Sequence, residues 1–241
     1  MFEKDTLYRN ASHYKTVSDV VDFRFDEAVA AVFPDMIHRS IPGYATLLAI
    51  MQAIFSAHIK PHALIYDLGC SVGGVTMALA KALPKSTRFI GIDTAQAMLA
   101  YYQKAVDASG LGERVKHQQA NIAAMQLAPC HGIILNFVLQ FLPATQRQPV
   151  IDETYRALHA KGLLFVAEKT TTDEDITYWH EQFKRHNGYS HLEIAQKRQA
   201  LENVMITDAE KTIVKRLQQA GFAEVKPVFQ ALGFKAWVAE K

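Results

Sequence analysis

The stretch HALIYDLGCSVGG, residues 62–74, decides the fold. Its first part, 62–69, is a short apolar run that ends in Asp67 and Gly69, the form taken by a buried parallel strand. Gly69 predicts a tight turn in which backbone can approach a ligand, and Gly73 and Gly74 let the next helix begin close to it. A helix N-terminus placed there favours a negative group. A helix is expected from Gly73 to Leu83, stopped by Pro84.

Downstream the pattern alternates. RFIGID (88–93) reads as a second strand, and Thr94 to Ala108 as a helix with Ala97, Met98 and Tyr101 on one face. RVKHQQ (114–119) is expected as a third strand and HGIILNF (131–137) as a fourth. Thr145 and Gln148 have capping-box spacing and predict a helix running to about His159. Gly162 then punctuates before a fifth strand, LLFVAEK (163–169). Strands alternating with helices predict an α/β fold with a doubly wound, mostly parallel Rossmann-like sheet.

The flanks differ from this core. Residues 1–20 are polar and expected to be loose, while 24–57 read as helical segments broken at Pro34 and Pro42. After Lys169 the chain turns polar and helical, with two further capping boxes at Ser190/Glu193 and Thr207/Glu210. The last helix is expected to end at Gly221, followed by a closing strand pair, VKPVF and FKAWVA. The whole chain, 1–241, thus reads as one domain with a helical cap inserted at 170–206.

Bulk composition narrows the classes. The 241 residues are 49% hydrophobic and 21% charged with a net charge of +2, which commits the chain to no polyanionic partner. The N-terminal MFEKDTLYRN has no apolar signal region, and the most apolar stretch, Ala45 to Phe55, is too short to span a bilayer and carries Gln52. No membrane association is expected. Cys70 and Cys130 form neither a CxxC pair nor a disulfide framework, which fits a reducing cytoplasm. His58 and His62 are separated by Pro61 and no HExxH occurs, so no metal is expected.

Residues 69–74 read GxSxGG rather than the GxGxxG of a dinucleotide turn. Serine at the second position fits a smaller ligand, such as the amino acid part of S-adenosylmethionine. Asp93 ends the second strand, 24 residues beyond Gly69, where a carboxylate can accept hydrogen bonds from both ribose hydroxyls. Either feature alone would pass for an ordinary glycine-rich turn with an incidental Asp; together, on strands one and two, they favour a ligand site. Asn121 and Ile122 after strand three, and Asn136 after strand four, then fall around the adenine and the methyl group. Loop polar residues near a turn are an equal account of Asn121 and Asn136.

Longer stretches carry a more specific resemblance: FDEAVAAVFPDMIHRSIPGY (25–44), YDLGCS (66–71), ILNFVLQFLP (134–143), AEK (167–169), FKRHNGYSHLEIAQKRQALENVM (183–205) and AGF (220–222). With these the chain resembles the carboxy-S-adenosylmethionine synthase family, which has the class I methyltransferase fold and serves wobble-uridine modification of tRNA. The PGY and NGYS…QKR…LENVM segments are the specific ones, because they lie where substrate varies. The resemblance implies ligand residues at Tyr44, Gly69, Cys70, Ser71, Asp93, Asn136 and Arg198. Thr94 stands where the family usually has Asn, Asn121 where it has Asp, and TTTDED (170–175) where it has FxFED. Thr94 and Asn121 keep hydrogen-bonding groups, so cofactor binding is expected to survive.

The reaction so implied joins a carboxylate from prephenate to the methyl carbon of S-adenosylmethionine. A sulfonium stabilises an adjacent carbanion, and prephenate, on becoming aromatic, supplies both carbon dioxide and a base. The new carboxylate suits a guanidinium, and Arg198 is the candidate. On sequence alone Arg198, next to Lys197, reads better as a solvated helix face, and it is the resemblance that favours the ligand role. Prephenate is a dianion, so a further cation is expected, with Arg39 the candidate; Tyr44 completes the implied catalytic set. Tyr189 is either a substrate contact or a packing residue. An ordinary methyltransferase acting on a small-molecule acceptor is the second reading, and a non-catalytic S-adenosylmethionine binder the third. Direct nucleic-acid binding is not expected, since Asn136 begins NFVL rather than a Pro-Pro-aromatic turn and no basic patch dominates. The resemblance implies a homodimer.

Overall fold

The computed structural model describes residues 25–241. The expectation about residues 1–20 lies outside them. The elements run α1 (Glu27–Ser40), α2 (Tyr44–His58), β1 (Leu64–Leu68), α3 (Gly74–Ala82), β2 (Arg88–Asp93), α4 (Gln96–Ser109), β3 (Val115–Gln119), β4 (Cys130–Asn136), α5 (Ala144–Ala157) and β5 (Leu158–Lys169). They continue with α6 (Glu174–His186), α7 (His191–Leu201), α8 (Glu210–Ala220), β6 (Val225–Ala231) and β7 (Phe234–Glu240). Short 3-10 turns follow β3 (Ile122–Ala124) and β4 (Leu139–Phe141).

The strands form one sheet in the order β3-β2-β1-β4-β5-β7-β6. Strands β1 to β5 pair in parallel, and β7 runs antiparallel to both β5 and β6. This is the expected doubly wound Rossmann-like sheet with its closing strand pair. The order reverses at β1, with β2 on one side and β4 on the other, and such a switch point opens a crevice at the carboxyl ends of the strands. Side chains alternate between two cores, as strand geometry requires. Ile65, Phe89, Ile134 and Phe165 pack on one face with Leu47, Met51 and Phe55 of α2, Leu79 of α3 and Tyr102 of α4. Tyr66, Leu68, Ile133, Leu135 and Trp237 pack on the other with Val150 and Ile151 of α5 and Leu217 of α8.

Several sequence expectations are corrected here. Pro34 does not break a helix; α1 runs through it. Asp26 caps the first turn by accepting from Val29 N–H, and Ala30 and Met36 bury on either side of the proline, offsetting its missing donor. Pro42 does separate α1 from α2. The buried face of α4 is Met98, Leu99, Tyr102 and Val106, rather than Ala97 and Tyr101. Gly162 lies inside β5, beside an irregularity where the partner of β4 steps from Leu158 to Leu163. Two of the three capping boxes are absent. Helix α5 begins after Pro143 with Thr145 already inside it, and α8 begins after Ala209, Thr207 instead meeting Thr171 Oγ1 at 3.1 Å. The Ser190/Glu193 box on α7 is complete in both directions.

Among the described residues no single helix is long and apolar enough to cross a membrane; α1 and α2 pass that test only together and are bent by 93°.

A buried carboxylate shapes the corner after β4. Glu168, near the end of β5, accepts the backbone N–H groups of Val138, Leu139 and Gln140 at 2.9, 2.7 and 3.1 Å. It thereby satisfies the donors of the turn that carries Asn136 and Phe137 toward the crevice. Glu168→Ala leaves three buried donors without their acceptor and is expected to cost about 3 kcal/mol or more, read as a lower midpoint in urea denaturation.

Candidate active site at the strand ends

The glycine turn after β1 is stitched to β2. Gly69 and Cys70 both donate to the Ile92 carbonyl, at 2.7 and 3.0 Å. Gly69 has φ +73°, and a Cβ there would lie 2.5 Å from Val138 Cγ2. Ser71 is also left-handed, at φ +51°, and donates its N–H to Asp93 Oδ2 at 2.9 Å. Asp93 Oδ1 accepts from Ala95 N–H at 2.9 Å, so one carboxylate holds two turns and still has lone pairs facing the crevice. Beneath the turn lies Asp67, buried, receiving the Thr76 hydroxyl at 2.7 Å. Burial pushes its carboxyl up to about 6 against the pull of Thr76. Cys70 is buried as well, and burial followed by the charge of Asp67 pushes its thiol up, so it is no nucleophile.

The other expected residues surround the same crevice. Thr94 is exposed, and its carbonyl accepts from Gln119 Nε2 at 3.0 Å. Asn121 Oδ1 accepts Ala123 N–H at 2.9 Å and caps the 3-10 turn that Ile122 opens, which leaves one lone pair and the amide N–H groups for a ligand. Asn136 ends β4 with its Oδ1 buried and lacking a hydrogen-bond partner. The Tyr44 phenol, at the start of α2, is pushed up by burial and then by Asp67, with the Asn136 side chain pulling the other way. Tyr44, Gly69, Cys70, Ser71, Asp93, Thr94, Asn121, Ile122, Asn136 and Arg198 all line one cavity of about 730 Å³. That is the size of a small-molecule site, and the partnerless oxygen of Asn136, one of its lining residues, is a polar group that a ligand could satisfy.

Arg198 on α7 sits at the cavity wall, largely exposed and paired with Glu181 of α6. Arg39 is a correction. Its Nε donates to the Asn187 carbonyl at 2.7 Å, it pairs with Asp35 at 3.2 Å, and it stacks 4.4 Å over the Tyr189 ring. It does not line the cavity, because these contacts turn its side chain toward α6 and Tyr189. Tyr189 does not line it either; it is buried with its hydroxyl 3.1 Å from Ser40 Oγ, the packing alternative. The cations that do face the cavity besides Arg198 are Lys169, Lys184 and Lys197. The lining charge is unevenly distributed: Asp67 and Asp93 lie at the ends of β1 and β2, while β5, α6 and α7 supply four cations, Lys169, Lys184, Lys197 and Arg198, against two carboxylates, Glu181 and Glu202. Among the described residues no three His, Cys, Asp or Glu side chains are placed to hold a metal ion.

Residues 65–162 match the methyltransferase domain family. A carboxy-S-adenosyl-L-methionine synthase from Dichelobacter nodosus is 47% identical over 224 residues, covering 92% of this chain and 94% of that protein. Another from Hydrogenovibrio crunogenus is 38% identical over 99% of this chain and 95% of its own length. The chain belongs to the carboxy-S-adenosyl-L-methionine synthase family. Solved structures show the same fold at low identity. An O-methyltransferase family 2 protein from Planctomyces limnophilus gives a TM-score of 0.62 at 17% identity, over 93% of this chain and 63% of that one. The S-adenosylmethionine-dependent methyltransferase SibL gives 0.62 at 17%, over 98% and 68%.

In this synthase-family chain, sequence reasoning missed the lysines. Lys169 ends a parallel strand at the switch-point side, a signal that was available. Lys184 and Lys197 carried none, because helix-surface lysines are ordinarily solvated. Gly69→Ala joins a left-handed backbone to a clash with Val138 and is expected to cost about 2–4 kcal/mol of folding free energy, measured by chemical denaturation.

Proposed function

We propose that the protein is a carboxy-S-adenosyl-L-methionine synthase that converts S-adenosylmethionine and prephenate to carboxy-S-adenosylmethionine for tRNA wobble-uridine modification. The observation that carries this reading is the excess of cations that β5, α6 and α7 contribute to a cavity also lined by Asp67 and Asp93. Asp67 and Asp93 have no cation within ion-pair distance among the described residues, and they suit a ligand bearing ammonium and sulfonium charges. The four cations Lys169, Lys184, Lys197 and Arg198, of which only Arg198 is paired with a carboxylate, suit an anionic partner, which a methyltransferase on a neutral small acceptor does not need.

In this reading S-adenosylmethionine lies along the strand ends. Asp93 accepts from the ribose hydroxyls, Asn121 and Ile122 meet the adenine, and the glycine turn receives the amino acid part. Asn136 and Tyr44 stand at the methyl end. The chemistry balances without an added oxidant or base. Prephenate loses carbon dioxide and hydroxide as its ring becomes aromatic. The hydroxide takes one methyl proton and leaves as water, and the methyl carbon forms a bond to the carbon dioxide. The chain's part is to orient the two substrates, exclude bulk water and receive the new carboxylate on Arg198, which exchanges Glu181 for it. A cytoplasmic homodimer without metal, membrane or direct nucleic-acid contact completes the reading, with residues 170–206 as the cap.

Mass spectrometry of purified protein supplied with S-adenosylmethionine and prephenate is expected to show the carboxylated product; unchanged substrate would favour the small-acceptor methyltransferase. Asp93→Ala is expected to lose about 1.5–3 kcal/mol of S-adenosylmethionine binding by calorimetry, the range for hydrogen bonds to a charged group. Arg198→Ala is expected to bind S-adenosylmethionine nearly normally while its affinity for the carboxylated form falls about tenfold to a hundredfold; Arg198→Lys should recover only part, since an ammonium lacks the planar fork. Equal treatment of both ligands by wild type and Arg198→Ala would place the carboxylate elsewhere.

A further inference from the structure

The three lysines at the cap end of the cavity form a group of their own. Lys169 closes β5, Lys184 lies in the last turn of α6 and Lys197 lies on α7. All three are half-buried and line the cavity. Among the described residues none has a carboxylate within ion-pair distance, and Glu181 beside them is taken by Arg198. Lys197 Nζ donates to Ser40 Oγ at 2.9 Å and stands 5.5 Å from the Tyr189 ring centre; Lys169 Nζ stands 6.0 Å from that of Phe234. His180 brings no counter-charge. Its Nε2 donates to the Ser40 carbonyl at 2.8 Å, and burial, opposed by that bond, takes its pKa down to about 3, so it stays neutral.

Solvated lysines would sit apart with their ammonium groups in water. These are close enough to shift one another. Burial first, then the neighbouring cations, hold Lys184 down to about 8 and Lys197 to about 7, and Lys169 is lowered as well. Half-buried cations gathered together, none with a carboxylate within ion-pair distance among the described residues, carry a desolvation and repulsion cost that an incoming anion relieves. Apolar side chains, Phe141, Leu201, Met205 and Phe234, line the same cavity, Phe234 beside Lys169, and suit the face of a six-membered ring.

We infer that Lys169, Lys184 and Lys197 hold the second substrate's carboxylate that is not transferred, at the end of its 2-oxo side chain, and leave Arg198 for the carboxylate that is. This rests on the synthase reading and deepens it. Lys197 adjoins Arg198 in the chain, and Lys169 feels the Arg198 charge, so the two anion positions are neighbours, as they must be for carboxylates carried by one ring carbon and its short side chain. Binding energy from the carboxylate that stays behind then fixes the ring relative to the methyl group.

Phenylpyruvate is the probe, because it keeps the 2-oxo carboxylate and lacks the transferred one. Calorimetric titration of the full chain saturated with S-adenosylmethionine is expected to show phenylpyruvate binding to wild type. In Lys184→Met and Lys197→Met that binding should weaken tenfold or more, with KM for prephenate rising in step and S-adenosylmethionine affinity unchanged. Lys197→Arg should recover part of it. Arg198→Ala should keep phenylpyruvate affinity near wild type. The methionine variants should melt at or above the wild-type temperature, because a desolvated charge has gone; if one fails to fold, the other decides. Folded methionine variants that bind phenylpyruvate as wild type does, or a wild type that does not bind it, would overturn the lysine assignment. A wild type that binds phenylpyruvate through these lysines yet forms no carboxylated product would sink the synthase reading and leave the carboxylate site standing.

Discussion

The carboxylate of Asp93 is the constraint on which the crevice depends. One oxygen takes the N–H of Ser71, in the turn after β1, and the other takes the N–H of Ala95, in the turn after β2. Two loops from adjacent parallel strands are thereby locked to one anion, and the Ile92 carbonyl adds two more bonds to the first of them. The left-handed residues Gly69, Ser71 and Gly73 follow from this tie, since the chain must climb from β1, meet β2 and enter α3 within a few residues. Everything that opens onto the crevice takes its position from that edge. Asn136 comes from β4 on one side, and Asn121 and Ile122 follow β3 on the other.

A second carboxylate does for the far half what Asp93 does for the near half. Glu168 gathers three backbone donors from the corner after β4 and holds Phe137 and Val138 against the glycine turn. Helices α6 and α7, with the end of β5, then bring Lys169, Lys184, Lys197 and Arg198 to a cavity that Asp67 and Asp93 also line. Such an arrangement costs stability in the empty protein, because half-buried lysines beside other cations are desolvated without compensation. The same cost favours occupancy by ligands of opposite charge at the two ends, the familiar exchange between stability and function.

Much of the sheet was legible before any coordinates. The second strand, RFIGID, falls on β2 residue for residue, and the apolar runs at 131–137 and 163–169 mark β4 and the inner part of β5. Local chemistry was less dependable. Ser190 with Glu193 makes its capping box, while Thr145 and Thr207 have the right spacing and do not, because Pro143 starts α5 earlier and Thr171 engages Thr207. Pro34 announced a break that burial on either side overrode. A cap or a proline contributes about 1–3 kcal/mol, which tertiary packing readily exceeds.

What the sequence by itself determined is the parallel sheet, its glycine turn at Gly69–Gly74 and the carboxylate at Asp93. These depend on periodicity and on residue types within one βαβ unit, and such short-range patterns survive without knowledge of distant contacts. Only the tertiary structure decided which cations face the cavity. Arg39 looked as suitable as any, yet the Asn187 carbonyl, Asp35 and Tyr189 turn it away, while Lys169, Lys184 and Lys197 line the cavity from three successive elements. A long side chain on a helix has no address until the helix is docked, because rotation of that helix by a single residue moves the charge about 100° around its axis.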